Sequence, residues 1–480
     1  MLIRLTIILL LFSVSTHAQD VNYWSSSYGP GGFLAPGATI ANNGDSGVFF
    51  FNPALFGYSR KSSASISGTI YQYQYTRIKD GAGTGLDLKS TGGSVVPQIV
   101  SNTITLKIKK PFTIAYALVH EPVMSFTGTQ RKDARQNVLS DTYSPGAEIF
   151  VGQYTAQNSI DETAGILSTG FMLSPRLALG FSAEGRIRKQ SYSLDLTSRA
   201  LFNISTDTIF PPIASTKEYY LNTYTHIGVR FKTGLAYDIG ARDHLGLLLT
   251  FPLLRISGFS TVVADNEINN IRLDSSFTWN LLATTRQTDL KAKYKMPISL
   301  ALGYTHDFGT EQLFFTAEYF AKVKEYNIVT PRKEAFIRPD TANNAGTPLL
   351  TRLKDARMAI LNIAIGFSKV LTPTTTGFIS ARTDFNYGGP SNYKADERGL
   401  GYTSNTSDWD LYHMQLGANF KKRKFNLRVG LLLDYGRTTQ YPQEVNYDNP
   451  NESNFLLGES HLTKASRLGA GLMFAYIHNL

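Results

Sequence analysis

Apolar and polar residues alternate with period two from about Ser62 almost to the end of the chain, and this limits the fold more than any other feature. Successive side chains of a strand point to opposite faces, so the alternation builds sheet with two unlike faces. It is clearest from Lys424 to Gly436. There Phe425, Leu427, Val429, Leu431, Leu433 and Tyr435 share one face, and Asn426, Arg428, Gly430, Leu432, Asp434 and Gly436 the other. Leu177, Leu179, Phe181 and Ala183 oppose Ser182, Glu184, Arg186 and Arg188, and Phe231, Leu235 and Tyr237 oppose Arg230, Lys232 and Asp238. Leu313, Phe315, Ala317, Tyr319 and Ala321 oppose Thr316, Glu318, Lys322 and Lys324.

The connections alternate short and long. Short ones lie near Lys109–Pro111, Ser174–Pro175, Gly240–Asp243, Asp307–Glu311, Leu371–Thr374 and Lys421–Lys424. Long ones lie near 80–92, 128–146, 200–219, 262–284, 326–356, 388–408 and 437–463. This predicts about fourteen strands with both termini on the short-turn side. A soluble sandwich would bury each aliphatic face against a second sheet. Long strands ending in aromatics, with an aliphatic band on one face, suit a lipid-facing wall instead. In hydrocarbon every N–H and C=O needs a partner, so the sheet must close. The expected fold class is all-β: a transmembrane antiparallel barrel with an N-terminal plug in its lumen. The final segment, Arg467–Leu480, resembles the terminal strand read by barrel-assembly machinery, except that it ends in Leu480 rather than Phe.

Residues 1–18 read as a cleaved signal peptide: Arg4, an apolar Leu5–Val14 run, and Thr16-His17-Ala18 as cleavage site. No later run reaches the ~18 apolar residues of a helical span. The chain has 0 cysteines, which excludes a lipoprotein anchor, a disulfide scaffold and a thiolate metal site. The net charge of +10 carries no recognised nucleic-acid motif with it. Residues 19–58 are the expected plug and hinge, and 59–480 the barrel. Tyr28-Gly29-Pro30-Gly31-Gly32 and Ala35-Pro36-Gly37 break any strand in the plug.

The hinge is Gly44–Tyr58, where an apolar Val48–Phe51 block breaks at Asn52-Pro53. Pro53 has no N–H to give a sheet and biases Asn52 away from helix. Ala41-Asn42-Asn43, Gly44-Asp45-Ser46 and Phe51-Asn52-Pro53-Ala54-Leu55 together resemble the N-terminal signature of the FadL/TodX-type outer-membrane transporters of long-chain fatty acids and other hydrophobic compounds. Leu55 stands where that signature commonly has Gly. The resemblance covers about fifteen residues, and barrels that carry secretion cargo share much of it. It implies a channel in the outer membrane of a Gram-negative bacterium for diffusive uptake of hydrophobic or amphipathic compounds, long-chain fatty acids foremost. A barrel that binds or carries exported proteins and a general porin are the alternatives. The expected partners are such hydrophobic molecules, outer-membrane lipid with lipopolysaccharide, and the assembly machinery, with no nucleic acid.

No catalytic or metal constellation appears, so neither an enzyme nor a cofactor is expected. The 8 His are scattered, without a metal-binding spacing, and His120 and Glu121 point to opposite faces of a strand. The expected lumen faces carry Arg186, Arg188, Arg230, Lys232, Lys293, Lys295, Lys322, Lys324, Arg382 and Arg428 against Glu184, Asp238, Glu318, Asp384 and Asp434. This pattern is either a ladder of opposite charges bracing the wall or a lumen favouring an anionic head group. The substrate candidates are Phe49, Phe50, Phe51 and Leu55 for an apolar pocket and Arg186, Arg230 and Lys293 for the head. Asp45, Asn52, Pro53 and Ala54 form the hinge motif. Pro122 lies in the third strand, where Pro is confined to edges and bulges or to chain beyond the membrane. The resemblance implies sideways release through an opening at that strand. The loop pattern gives a topological expectation. Labelling sites placed in 262–284, 326–356 and 437–463 should react from outside intact cells, whereas sites at Gly240–Asp243 and Lys421–Lys424 should not.

Overall fold

The sheet closes on itself. The computed structural model describes residues 22–24, 40–41, 51–58, 62–106, 112–204, 211–274, 277–338, 346–395, 399–404 and 409–479. Fourteen wall strands follow in chain order. They are β1 (Ser63–Ile78), β2 (Leu88–Leu106), β3 (Phe112–Gln136), β4 (Glu148–Ser174), β5 (Leu177–Leu201), β6 (Ile213–Asp238) and β7 (Asp243–Thr250, continued by Leu254–Asp274). Then come β8 (Phe277–Lys291, continued by Ser299–Asp307), β9 (Glu311–Phe320), β10 (Ile360–Thr372), β11 (Thr375–Asp384), β12 (Leu411–Lys421), β13 (Phe425–Pro442) and β14 (Leu462–Asn479). β14 pairs with β13 on one side and with β1 on the other, from Ser63↔Asn479 to Ile78↔Ala465. Both ends of the wall therefore lie on the short-turn side, and neither β1 nor β14 is left as a free edge. The signal peptide and most of residues 19–50, with Asp45, Phe49 and Phe50 among them, lie outside the described residues.

Near the short turns the outer face is apolar. Leu118, Leu167, Phe181, Phe231, Leu302, Phe315, Ile365, Leu416, Leu433 and Leu468 are exposed, and their neighbours in sequence point inward. Such a wall belongs in the outer membrane of a Gram-negative cell.

The walls are unequal in height. β4, β5 and β6 have 27, 25 and 26 residues, whereas β9 has 10, about the length that crosses a bilayer. On the tall side the alternation continues above the membrane, but its sign inverts. Low on β5, Phe181 and Ile187 face out and Ser182, Glu184, Arg186 and Arg188 are buried; higher up, Lys189 and Ser191 face out and Tyr192, Leu194 and Leu196 are buried. β4 and β7 invert likewise, with Tyr154, Ala156, Val262 and Ala264 buried. Lipid demands apolar residues outside; above it water does, and the apolar residues move inside.

This inversion corrects two expected loops. Residues 262–284 are strand through most of their length, forming an extended β7–β8 hairpin, and β3 runs on to Gln136. On the short side the chain folds inward instead. Val323–Val329 runs on beside the wall stretch at Ala292 and Lys293, and with Leu353–Arg357 and Tyr402–Thr403 it forms a small sheet at the mouth. All five residues of Leu353–Arg357 are buried. Tyr402 stacks on the inward Tyr220, with ring centroids 3.6 Å apart, and donates to Glu218 at 2.9 Å.

The inversion sets a depth-dependent expectation. Leu302→Arg, in the lipid-facing band, should cost about 2–4 kcal/mol of folding free energy in lipid vesicles. Gln157→Arg, on the outer face of β4 above the band, should stay within about 0.5 kcal/mol of the parent. Denaturant titration of the two variants checks both values.

Candidate functional site in the lumen

A glycine track receives the hinge. Pro53–Tyr58 forms one 3-10 turn against the inward faces of β4, β5 and β6. Gly170 and Gly180 face each other across β4–β5, Gly180 faces Gly234 across β5–β6, and Gly246 faces Gly303 across β7–β8. A Cβ on Gly180 would lie 2.1 Å from the Pro53 carbonyl carbon, one on Gly234 1.9 Å from the Asn52 side-chain oxygen, and one on Gly246 2.0 Å from the Ile40 oxygen. The wall lacks side chains where the segment lies.

Asn52 is fully buried and fastens the segment. Its Nδ2 donates to the carbonyls of Ile40 at 2.7 Å and Leu235 at 3.1 Å, and its Oδ1 accepts from Ala54 N at 3.1 Å. This is the role of Asn in the Asn-Pro pair: it satisfies backbone groups that Pro53 cannot. Ala54, Leu55 and Phe56 then cluster with Ile99, Ala115, Ala117, Val119, Ala164, Ile166, Ala178 and Ala236 of the wall. Phe51 joins a separate patch of Ile40, Leu248 and Ala301.

The extreme N-terminal residues described also lie inside. Asn22 Nδ2 donates to the Asp384 carbonyl at 2.7 Å, Trp24 N to the Asp384 carboxylate at 2.9 Å, and Trp24 Nε1 to Glu318 at 2.8 Å. The Tyr23 ring stacks on Phe320, with centroids 4.2 Å apart. Burial pushes its phenol well above the ordinary value, against the opposing pull of Arg357.

The expected basic residues divide. Arg186, Arg188, Arg230 and Lys232 are buried on the inward faces of β5 and β6, around Glu162 and Glu184. Glu184 accepts from Arg230 at 2.6 and 3.0 Å, from Arg186 at 3.3 Å and from Lys232. Arg188 donates to Tyr224 at 3.0 Å and to Glu162. The charge ladder is thus real, with four cations on two carboxylates.

Lys293 is a correction. It is exposed, as is Lys295, and so are Lys322 and Lys324 beyond β9. β8 buries Ala283, Thr285 and Gln287, then Leu290, Ala292 and Tyr294. Asp289 lies between the two series with φ +56°, at a register shift against β7. One inserted residue moves the side chains that follow to the other face, as far as Tyr294; beyond the irregular stretch 293–298 the parity returns, with Ser299 and Ala301 buried. Tyr294 enters the lumen and Lys293 leaves it.

Sequence reasoning missed Arg357. Its guanidinium is fully buried among three aromatic rings: 4.6 Å from the Tyr387 centroid, 4.9 Å from Tyr294 and 5.7 Å from Tyr23. Arg188 covers the Tyr294 ring as well, at 4.1 Å. Arg357 Nε donates to Asp355 at 3.0 Å, while Nη1 and Nη2 have no hydrogen-bond partner among the described residues. Leu353-Lys354-Asp355-Ala356-Arg357 has no motif that would have marked it.

At Pro122 the backbone carries a register shift against β4, between Pro122 and Met124. The β2–β3 ladder runs from Leu106↔Phe112 to Ile99↔Val119 and stops. Above it the two strands meet through side chains, Ser90 accepting from Thr127 N at 3.0 Å and Gln130 donating to the Asp87 carbonyl at 2.6 Å. Ile99 and Val119, the last ladder pair, belong to the cluster formed by Leu55 and Phe56.

No family model matches the chain, and no curated protein matches it in sequence. Solved structures do match its fold. A Pseudomonas aeruginosa FadL homologue is 12% identical with a TM-score of 0.57, covering 95% of this chain and 99% of its own. The Pseudomonas putida toluene transporter TodX is 12% identical with a TM-score of 0.55, covering 97% of this chain and 100% of its own. The Ralstonia pickettii toluene transporter TbuX is 12% identical with a TM-score of 0.55, covering 95% and 99%.

The glycine track gives a specific expectation. Gly180→Val should leave a heat-resistant barrel but expel residues 51–57, and limited proteolysis should then cut near the hinge. Asn52→Ala should give the same cut more weakly, since it removes the side-chain donor to the buried Ile40 carbonyl, at about 1–3 kcal/mol for such a loss. The chain shares, over nearly its whole length, the fold of the FadL/TodX-type channels.

Proposed function

We propose that this protein is an outer-membrane channel for diffusive uptake of hydrophobic or amphipathic compounds, with long-chain fatty acids as the substrate class. One observation carries the reading. The interruption of the β2–β3 ladder begins at Ile99 and Val119, and those two residues share an apolar cluster with the turn of the hinge. A hydrophobic solute leaving the hinge cluster meets the place where the wall lacks backbone pairing, beside the shift at Pro122. Sideways exit there delivers it into lipid without crossing water. The fold shared with two toluene transporters and a FadL homologue supports the same reading.

In this reading residues 19–58 are the plug. Phe49, Phe50, Phe51 and Leu55 line the apolar part of the path, and Asp45, Asn52, Pro53 and Ala54 set the hinge. Arg186 and Arg230 hold a carboxylate head less directly than first expected, because Glu184 already pairs with both. Arg357, two of whose nitrogens have no hydrogen-bond partner among the described residues, is the stronger head-group candidate.

Two measurements test this on the purified protein. A long-chain fatty acid should bind more tightly than the alcohol of equal chain length, and Arg357→Gln should remove the difference. Phe51→Ala and Leu55→Ala should weaken both ligands, by roughly 1.5–3 kcal/mol for a well-buried side chain. Uptake is tested with Gly92→Cys and Ser125→Cys together, in a chain with 0 native cysteines. A Cβ on Gly92 would lie 3.9 Å from the Ser125 backbone carbonyl oxygen, so a bifunctional thiol reagent with a reducible linker can span the interruption. Crosslinking should stop uptake and reduction of the linker restore it. If neither ligand binds while an exported polypeptide co-purifies, the protein carries secretion cargo instead.

A further inference from the structure

We infer that the outer wall at β7 and β8 holds a phosphorylated glycolipid of the outer leaflet, of the lipid A type. Beyond the bulge at Asp289, Lys291 ends the strand exposed, and Lys293 and Lys295 are exposed on the irregular stretch that follows. Among the described residues none of the three has a carboxylate within ion-pair distance. Lys295 rests its ammonium 4.6 Å from the Tyr326 ring centroid, and Arg255, exposed beside them, donates to the Ala292 carbonyl at 2.8 Å. Like charges spaced two residues apart repel one another unless a counter-charge comes from outside the protein.

The level of this stripe identifies the source. Directly toward the periplasm lie the exposed Ile298, Leu300 and Leu302 of the lipid-facing band. Toward the outside, the face of β4–β6 turns polar at Asp161, Lys189 and Ser191. The lysines thus stand at the outer rim of the hydrocarbon, where headgroup phosphates lie. Leu254, Ile256 and Phe259, 57%, 63% and 55% exposed, flank them on β7 as a surface for acyl chains. Lys291 is the ladder partner of Phe259.

A groove of about 310 Å³ opens at the same place on the outer face. Ser159, Asp161, Lys189, Thr225, Phe259 and Asp289 line it. Hydroxyl and carboxylate groups there suit the hydroxyls of a sugar and suit a second phosphate poorly. Phosphate on the lysine stripe, sugar in the groove and acyl chains on β7 together describe a phosphorylated glycolipid. A phospholipid would leave the groove empty. The inference rests on the outer-membrane placement and not on the transported substrate, so its failure leaves the uptake reading untouched.

The test is native mass spectrometry of the full-length protein in detergent, with lipid A, fully dephosphorylated lipid A and phosphatidylglycerol as probes. Lipid A should bind at a defined stoichiometry, and Lys291→Gln, Lys293→Gln and Lys295→Gln combined should weaken it by roughly a hundredfold. The dephosphorylated form and phosphatidylglycerol should bind the parent far less tightly. The three positions are exposed, so the variant should keep its heat-resistant migration. As a second variant, Asp161→Asn with Asp289→Asn should weaken lipid A and leave the residual phosphatidylglycerol binding unchanged. Unchanged lipid A affinity in the triple variant, or equal binding of phosphatidylglycerol by the parent, overturns the assignment.

Discussion

Every other feature depends on the pairing of β14 with β1. Hydrocarbon offers no hydrogen-bond partner, so a spanning sheet is stable only when its first and last strands join. The ladder from Ser63↔Asn479 to Ile78↔Ala465 does this along nearly the whole of β1. Closure fixes which residues face inward, and the lumen inherits whatever the lipid rejects. The buried arginines of β5 and the glycines of β4–β8 occupy inward positions because lipid takes the alternate ones. The same rule makes a break in the ladder informative. β2 and β3 part above Val119 at a cost in unpaired backbone groups that a closed barrel would otherwise avoid.

How much of this was legible in the sequence follows from the same physics. Where the wall lies in lipid, alternation reads directly: Phe425–Gly436 and Arg467–Tyr476 hold the faces that their pattern assigns. Above the membrane the alternation persists with inverted sign, so residues 262–284 read as a loop although Leu254–Asp274 and Phe277–Lys291 are strand. Lys293 was misplaced for a different reason. Its parity within β8 was correct until Asp289, and a single left-handed residue reversed it. Alternation carries no mark of a bulge, because Asp is an ordinary exposed residue and only the register against β7 reveals the insertion.

The hinge was half legible. Asn52-Pro53 announces a break, and its resemblance to a known signature points to the lumen. Its receptor was hidden, because Gly170, Gly180, Gly234, Gly246 and Gly303 are spread over four hairpins and meet only through register. Each alone looks like a weak strand residue. Together they form a groove in which a polypeptide backbone replaces the missing side chains. The glycines stabilise nothing by themselves; they make room for Asn52 to reach the carbonyls of Ile40 and Leu235.

Arg357 shows what the lumen contains once these constraints are met. A fully buried guanidinium is costly unless it is paired, and Asp355 supplies one hydrogen bond where five donors need partners. Three ring faces supply much of the remaining stabilisation, and they come from separate parts of the chain: Tyr23 near the N-terminus, Tyr294 at the break in β8, Tyr387 after β11. Tyr294 is there because the bulge at Asp289 turned it inward, and the same bulge turned Lys293 outward. One inserted residue thus adds an aromatic wall to the lumen and a cation to the membrane rim. Tyr23 is the ring least bound to the barrel by covalent structure, held through its neighbours by Asp384 and Glu318. The stability of the charge at the centre of the lumen is therefore coupled to the seating of the N-terminal residues. Any ligand able to hydrogen-bond Nη1 and Nη2 competes with Tyr23 for the same guanidinium.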